Sequence, residues 1–176
     1  MVFFRIKTIK GKQYAYEVEN EWRAKSSRQK VKGYIGRTYK AALKNDIGFL
    51  EFINKENLEE YFKCSSRKEI IRNLIEWEVF KFGIGEEFQI DLDMFTIQKK
   101  GKNIAFIIND GLMCGKTIRK LLEFEPQEDE HSDAYSLARA FVEAGIKVPH
   151  DVFIKLFEAH FMRQSETFKY NLPYKF

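Results

Sequence analysis

Two cysteines in 176 residues, Cys64 and Cys114, are too few for a disulfide framework or a four-cysteine zinc site. No apolar run approaches the roughly 20 residues that a membrane-spanning helix needs, so no membrane contact is expected. Met1 leads straight into a charged, alternating stretch, without the apolar core and small-residue cleavage site of a signal peptide. The expectation is therefore a cytoplasmic protein. The chain has no 20–50-residue repeat and no low-complexity tract. Carboxylates are scarce at its start. Residues 1–44 hold twelve Lys and Arg against Glu17, Glu19 and Glu21, a balance of +9 inside an overall +4. The remaining residues are net acidic, and such asymmetry points to a polyanionic partner for the basic part. What is abundant is apolar and charged residues, 44% and 32%, which excludes a disordered or collagen-like chain.

The first segment alternates with period two. In Val2 to Ile9, Phe4 and Ile6 share one face and Arg5 and Lys7 the other. Gly11-Lys12 reads as a two-residue hairpin turn, and Gln13 to Trp22 resumes the alternation. After a polar turn near Lys25, Arg28 to Ile35 is a third strand with Val31 and Ile35 inward. The three make an antiparallel meander. Its outer face is expected to show two rows of cations flanking a middle row of carboxylates. Leu43, Ile47, Leu50 and Ile53 then recur at helical spacing, and helix starts follow at Asn57 and Ser66. Gly83 closes the second of these helices. Phe95 to Gln98 and Asn103 to Ile108 flank Lys99-Lys100-Gly101-Lys102 as a second hairpin. A short helix over Thr117 to Phe124 comes next. Asp133 then caps a helix through Leu137, Phe141 and Val142 up to Gly145. Pro149 sets up a last, aromatic helix. The fold class is α+β: a three-stranded meander (1–38), a helical segment (39–83), then a hairpin with packed helices (84–176).

The basic meander is the strongest functional signal. Arg5, Lys7, Arg28, Lys30 and Lys32 are expected on one solvent face, with Arg37 just beyond the sheet and Tyr34 as an aromatic plane among them. Such a surface neutralises phosphates, and an exposed ring stacks on a base. Exposed pairing with three glutamates, at about 0–1 kcal/mol each, does not cancel it. The stretch Phe3 to Gly36 also resembles the N-terminal module of DDE-type insertion-sequence transposases. The similar parts are Arg5-Ile6-Lys7, Gly11-Lys12-Gln13-Tyr14, Tyr16-Glu17-Val18-Glu19 and Arg28 to Gly36. The resemblance covers about a fifth of the chain. The chain is too short for that family's RNase H-like domain, and no DDE triad is found. The resemblance implies a nucleic-acid-binding module without transposase activity.

Other motifs read more simply. Asp110 to Thr117 suggests a phosphate loop, but the required first glycine is Asp110, and from Gly111 the loop is one residue short. Asp91, Asp93 and Asp110 are candidate Mg²⁺ ligands for a nuclease, yet no E-x-K follows, and turn and cap roles explain them. The acidic stretch Glu125 to Asp133 reads as a solvated loop. No catalytic residue, metal ligand or cofactor is assigned. The expected function is non-catalytic binding of DNA or RNA. A protein–protein adaptor is the alternative, and a metal-dependent nuclease a second one. With seventeen Phe, the aromatic C-terminal helices are a candidate surface for a protein partner or a homodimer.

Overall fold

The computed structural model describes residues 2–23, 26–85, 87–127 and 130–169, with the side chains of the last helix through Ala159. The chain is α+β, as the alternation and the helical stripes predict. Strands β1 (Val2–Ile9), β2 (Lys12–Arg23) and β3 (Ser26–Lys40) form the antiparallel meander. Helices α1 (Phe49–Phe52), α2 (Leu58–Cys64) and α3 (Arg67–Lys81) follow. Then come β4 (Gln89–Asp91), β5 (Thr96–Lys99), β6 (Lys102–Ile108) and β7 (Gly111–Met113). Helices α4 (Gly115–Leu122), α5 (Glu130–Ala144) and α6 (His150–Lys169) close the chain.

The turn chemistry is written in the sequence. Lys10-Gly11, Lys100-Gly101 and Asn109-Asp110 each supply two consecutive residues with positive φ, the conformation of a type I′ hairpin loop. The first turn is thus Lys10-Gly11 rather than Gly11-Lys12. The turn expected near Lys25 lies outside the described residues. The two β units do not stay apart: Arg37–Lys40 of β3 runs parallel to Ile104–Ile107 of β6. One seven-stranded sheet results, in the order β1-β2-β3-β6-β5-β4 with β7 also on β6. β3 therefore extends past Ile35, and Arg37 lies inside the sheet.

Helices cover one face of the β6 side. Tyr39, Ile104, Phe106 and Ile108 meet Ile70, Ile71, Leu74 and Ile75 of α3, with Ile118, Leu121, Phe141 and Leu156. Ser66 caps α3 by accepting from the Glu69 N–H, and Asn57 does the same for α2. Gly83 (φ 57°) ends α3 in a Schellman motif, its N–H on Phe80 O and that of Ile84 on Val79 O. The helix expected through Leu43 and Ile47 shrinks to Phe49–Phe52. Its upstream part has another task. The N–H groups of Lys44 and Asn45 bond the Lys81 carbonyl, and the Asn45 amide bonds Phe80 O, closing the C-terminus of α3. α5 starts before Asp133, whose buried carboxylate accepts from the Gln127 N–H. Val142 is exposed, and Ala140 and Ala144 complete the buried stripe.

Among the described residues, one carboxylate is fully buried. Glu78 of α3 receives Lys81 Nζ at 3.1 Å, the Lys147 N–H at 3.0 Å and the Asn109 amide at 3.4 Å. It thereby ties α3 to the β6–β7 turn and to the α5–α6 connection.

The second buried cluster lies on the opposite side of the sheet. There Ala15 and Ile35 of the meander meet Ala105, Leu112 and Cys114. Burial pushes the Cys114 thiol above its ordinary pKa, whereas Cys64 is exposed. Iodoacetamide at neutral pH is expected to label Cys64 in the native protein and to reach Cys114 only after denaturation. Mass spectrometry of the two peptides checks this; equal labelling of both under native conditions would contradict the packing of the meander onto β7.

Candidate nucleic-acid interface

A two-residue hairpin loop pairs odd positions of β1 with even positions of β2. Arg5 lies opposite Tyr16 and Lys7 opposite Tyr14, so the β1 cations share the tyrosine face of β2 and not the face of Glu17 and Glu19. β3 adds a second correction. Glu17 pairs with Gly33 and Val18 with Val31, skipping Lys32; Tyr16 pairs with Tyr34 and Ala15 with Gly36, skipping Ile35. Each skipped residue is a β-bulge, and one extra residue reverses which face the following side chains occupy. Ahead of both bulges, Arg28 and Lys30 lie opposite Glu21 and Glu19, and Lys32 Nζ bonds Glu19 at 2.7 Å. Tyr34 and Arg37 emerge on the other side, opposite Tyr16 and Tyr14.

The seven nominated residues thus divide. Arg5, Lys7, Tyr34 and Arg37 share the tyrosine face, and Arg28, Lys30 and Lys32 share the glutamate face. The three meander carboxylates all fall on the latter. There the Lys32 hydrogen bond holds Glu19 below the usual carboxylate range and raises Lys32 in turn. Glu17 is engaged by Lys116 of α4. The inner half of this face closes over the β7–α4 junction through Ala15 and Ile35.

The tyrosine face is the opposite face of the meander, and its Tyr34 borders a cleft that reaches the first turn of α4. Among the described residues its strand positions carry Arg5, Lys7, Lys12 and Arg37 and no carboxylate. Tyr34 packs between two neighbours, 5.4 Å from the Tyr16 ring centroid and 6.3 Å from that of Tyr14, yet stays 59% exposed. Lys7 Nζ sits 5.3 Å from the Tyr16 centroid, and the Arg37 guanidinium 4.9 Å from that of Tyr39. Arg5 donates to Gln29 across the meander. The Arg37 Nε is buried and has no hydrogen-bond partner among the described residues. Partial burial, with the phenols of Tyr14 and Tyr16 nearby, pushes Tyr34 above its ordinary pKa, so it carries no charge to oppose a phosphate. Trp22, on the same face, is 81% exposed. It stands about 20 Å along β2 from Tyr16 at the usual strand rise. Tyr14 and Tyr16 were the residues to add: the period-two pattern aligns them with each other, and only the pairing register shows which β1 cations they join.

Beyond Tyr34 the sheet opens. β3 pairs with β6 only from Arg37 onward, and the gap before it is a cleft of about 270 Å³ reaching β5 and the first turn of α4.

The other candidates have local roles. Asp91 accepts from the N–H groups of Asp93 and Met94, Asp93 pairs with Arg72, and Asp110 sits in a turn. The Thr117 hydroxyl accepts from the Cys114 N–H and donates to the Leu112 carbonyl, a helix-start role in place of a phosphate loop. Among the described residues, no group of three or more His, Cys, Asp and Glu has a metal-binding arrangement, and no helix is long and apolar enough to cross a membrane. On α6, Val152 and Leu156 are buried in the core, Phe153 packs against it and Phe157 is half-buried; the aromatics from Phe161 on lie outside the described side chains. Compared with known proteins, the chain matches no family model, no curated protein and no solved structure.

Proposed function

We propose that the protein is a non-catalytic, cytoplasmic nucleic-acid-binding protein whose interface is the tyrosine face of the meander. The observation that carries this is the segregation of charge. Every meander carboxylate lies on the reverse face, leaving Arg5, Lys7, Lys12 and Arg37 around Tyr14, Tyr16 and Tyr34. Cations without carboxylate competition attract a phosphate backbone, and the exposed Tyr34 ring, with the half-buried Tyr14 and Tyr16 beside it, favours unpaired bases, whose faces are free to stack. The resemblance of Phe3 to Gly36 to a transposase N-terminal module points the same way. DNA and RNA share the phosphates this face addresses.

Tyr34→Ala tests the aromatic half of the reading. It should weaken binding of a fluorescein-labelled single-stranded 12-mer by about 1–3 kcal/mol, with a much smaller effect on a duplex of equal length. Because the side chain is largely exposed, the melting temperature should stay within a few degrees. Unchanged single-strand affinity in a folded Tyr34→Ala protein would mean that the ring only supports the sheet.

A further inference from the structure

Resting on that reading and deepening it, we infer that the cleft beside Tyr34 receives one unpaired nucleobase of a strand lying on the tyrosine face, with an adjoining phosphate at its mouth. The cleft has fixed walls. A Cβ on Gly36 would stand 2.3 Å from the Asn103 carbonyl, and one on Gly115 would stand 2.1 Å from the Phe95 carbonyl. Neither approach tolerates a side chain, so β3 is pressed onto the start of β6, and α4 onto the β4–β5 turn. Between these two contacts the far edge of β3 has no strand partner, and its backbone groups face the gap.

The lining has the chemistry of a nucleobase site. Tyr34 and Phe95 offer ring surfaces, and Thr96 and Asn103 offer hydrogen-bonding groups. Asn103 is exposed and accepts from the Gln98 amide at 3.2 Å, which leaves its own amide N–H groups for a base edge. Arg119 stacks on Phe95 with its guanidinium 5.0 Å from the ring centroid. It has no carboxylate partner among the described residues, whereas its neighbour Lys116 is held by Glu17. The volume lies just below the roughly 300–1,000 Å³ of drug-sized ligand sites, which suits one ring system and not an extended ligand. Tyr34 belongs both to the cleft and to the tyrosine cluster, so a strand stacked on Tyr34 beside Tyr16 has its next base at the opening.

The same chemistry would suit a base within a strand or a free mononucleotide, and the test separates them. Fluorescence anisotropy of a labelled single-stranded 12-mer is measured with the full-length protein, then with single abasic sites moved along the 12-mer, and in competition with AMP and UMP. Asn103→Leu and Arg119→Gln are the variants, both at exposed positions, with melting temperatures recorded. The inference expects an abasic penalty of about five- to a hundredfold confined to one position within the binding register. Asn103→Leu and Arg119→Gln should each weaken the intact 12-mer at least severalfold, and Asn103→Leu should leave the abasic 12-mer unaffected. Mononucleotides should compete only at concentrations far above the 12-mer. An abasic penalty spread evenly along the strand, with both variants binding normally, would overturn the cleft and leave the tyrosine face intact. Mononucleotide affinity equal to that of the 12-mer would make this a free-nucleotide site and overturn it too. No binding of any 12-mer would refute the nucleic-acid reading itself.

Discussion

Glu78→Ala is expected to lower the melting temperature by roughly 6–20 °C, from a loss of about 3–5 kcal/mol when one partner of a buried pair is removed. The carboxylate is fully buried and serves three donors from three parts of the chain: Lys81, Asn109 and the Lys147 backbone. Removing it strands a Lys81 ammonium whose side chain is only 12% exposed and leaves the Lys147 N–H without its acceptor. Lys81 retains its contact with the Trp77 ring, 3.9 Å from the centroid, which offsets part of the loss. Glu78→Gln should cost less, because the amide oxygen still accepts from Lys147. Thermal and urea denaturation of both variants measure the difference. A loss under about 1 kcal/mol for Glu78→Ala would show that this carboxylate does not hold α3 to the turns it touches.

Nothing in the local pattern marks Glu78. It sits one residue before Val79 in a helix whose apolar stripe is plain, and besides Lys81 on the same helix its partners lie 31 and 69 positions away. The same divide runs through the whole molecule. The two hairpins and the helices opened by Asn57 and Ser66 were legible because their signals are local, although the first turn falls one residue earlier than its glycine suggested, at Lys10-Gly11. The parallel contact of β3 with β6 was not, since a crossover of more than sixty residues separates the partners. The segment through Leu43 and Ile47 has helical spacing, but its backbone donors serve α3, and tertiary demand overrides periodicity.

At the interface, composition pointed to the meander and alternation paired Tyr14 with Tyr16, but the bulges at Lys32 and Ile35 left no period-two trace. Gly33 and Gly36, each beside a skipped residue, are the nearest hint. The bulge at Lys32 moved Tyr34 to the face of Arg5 and Lys7, the second at Ile35 returned Arg37 to that same face, and Arg28, Lys30 and Lys32 stayed among glutamates. A cation-rich segment thereby became two faces of different character.

That division yields the second large effect. With Arg5, Lys7, Lys12 and Arg37 on phosphates, affinity for a single-stranded oligonucleotide should fall with salt at a log–log slope of about −3. Arg5→Glu with Lys7→Glu removes two of these contacts and places two carboxylates beside the tyrosines. Affinity should drop by at least an order of magnitude and the slope should fall to about half. Lys30→Glu with Lys32→Glu changes the net charge by the same amount on the reverse face, where Lys32 already serves Glu19. Loss of that exposed pair costs only about 0–1 kcal/mol of stability.

The most direct measurement is therefore a salt titration of single-strand affinity for the wild type and the two charge-reversal pairs, each first shown to be folded. The Arg5/Lys7 pair is expected to lose binding and half the slope, while the Lys30/Lys32 pair keeps a slope near −3 and most of its affinity. Equal losses from both faces, or a larger loss from Lys30/Lys32, would contradict the assignment of the interface to the tyrosine face.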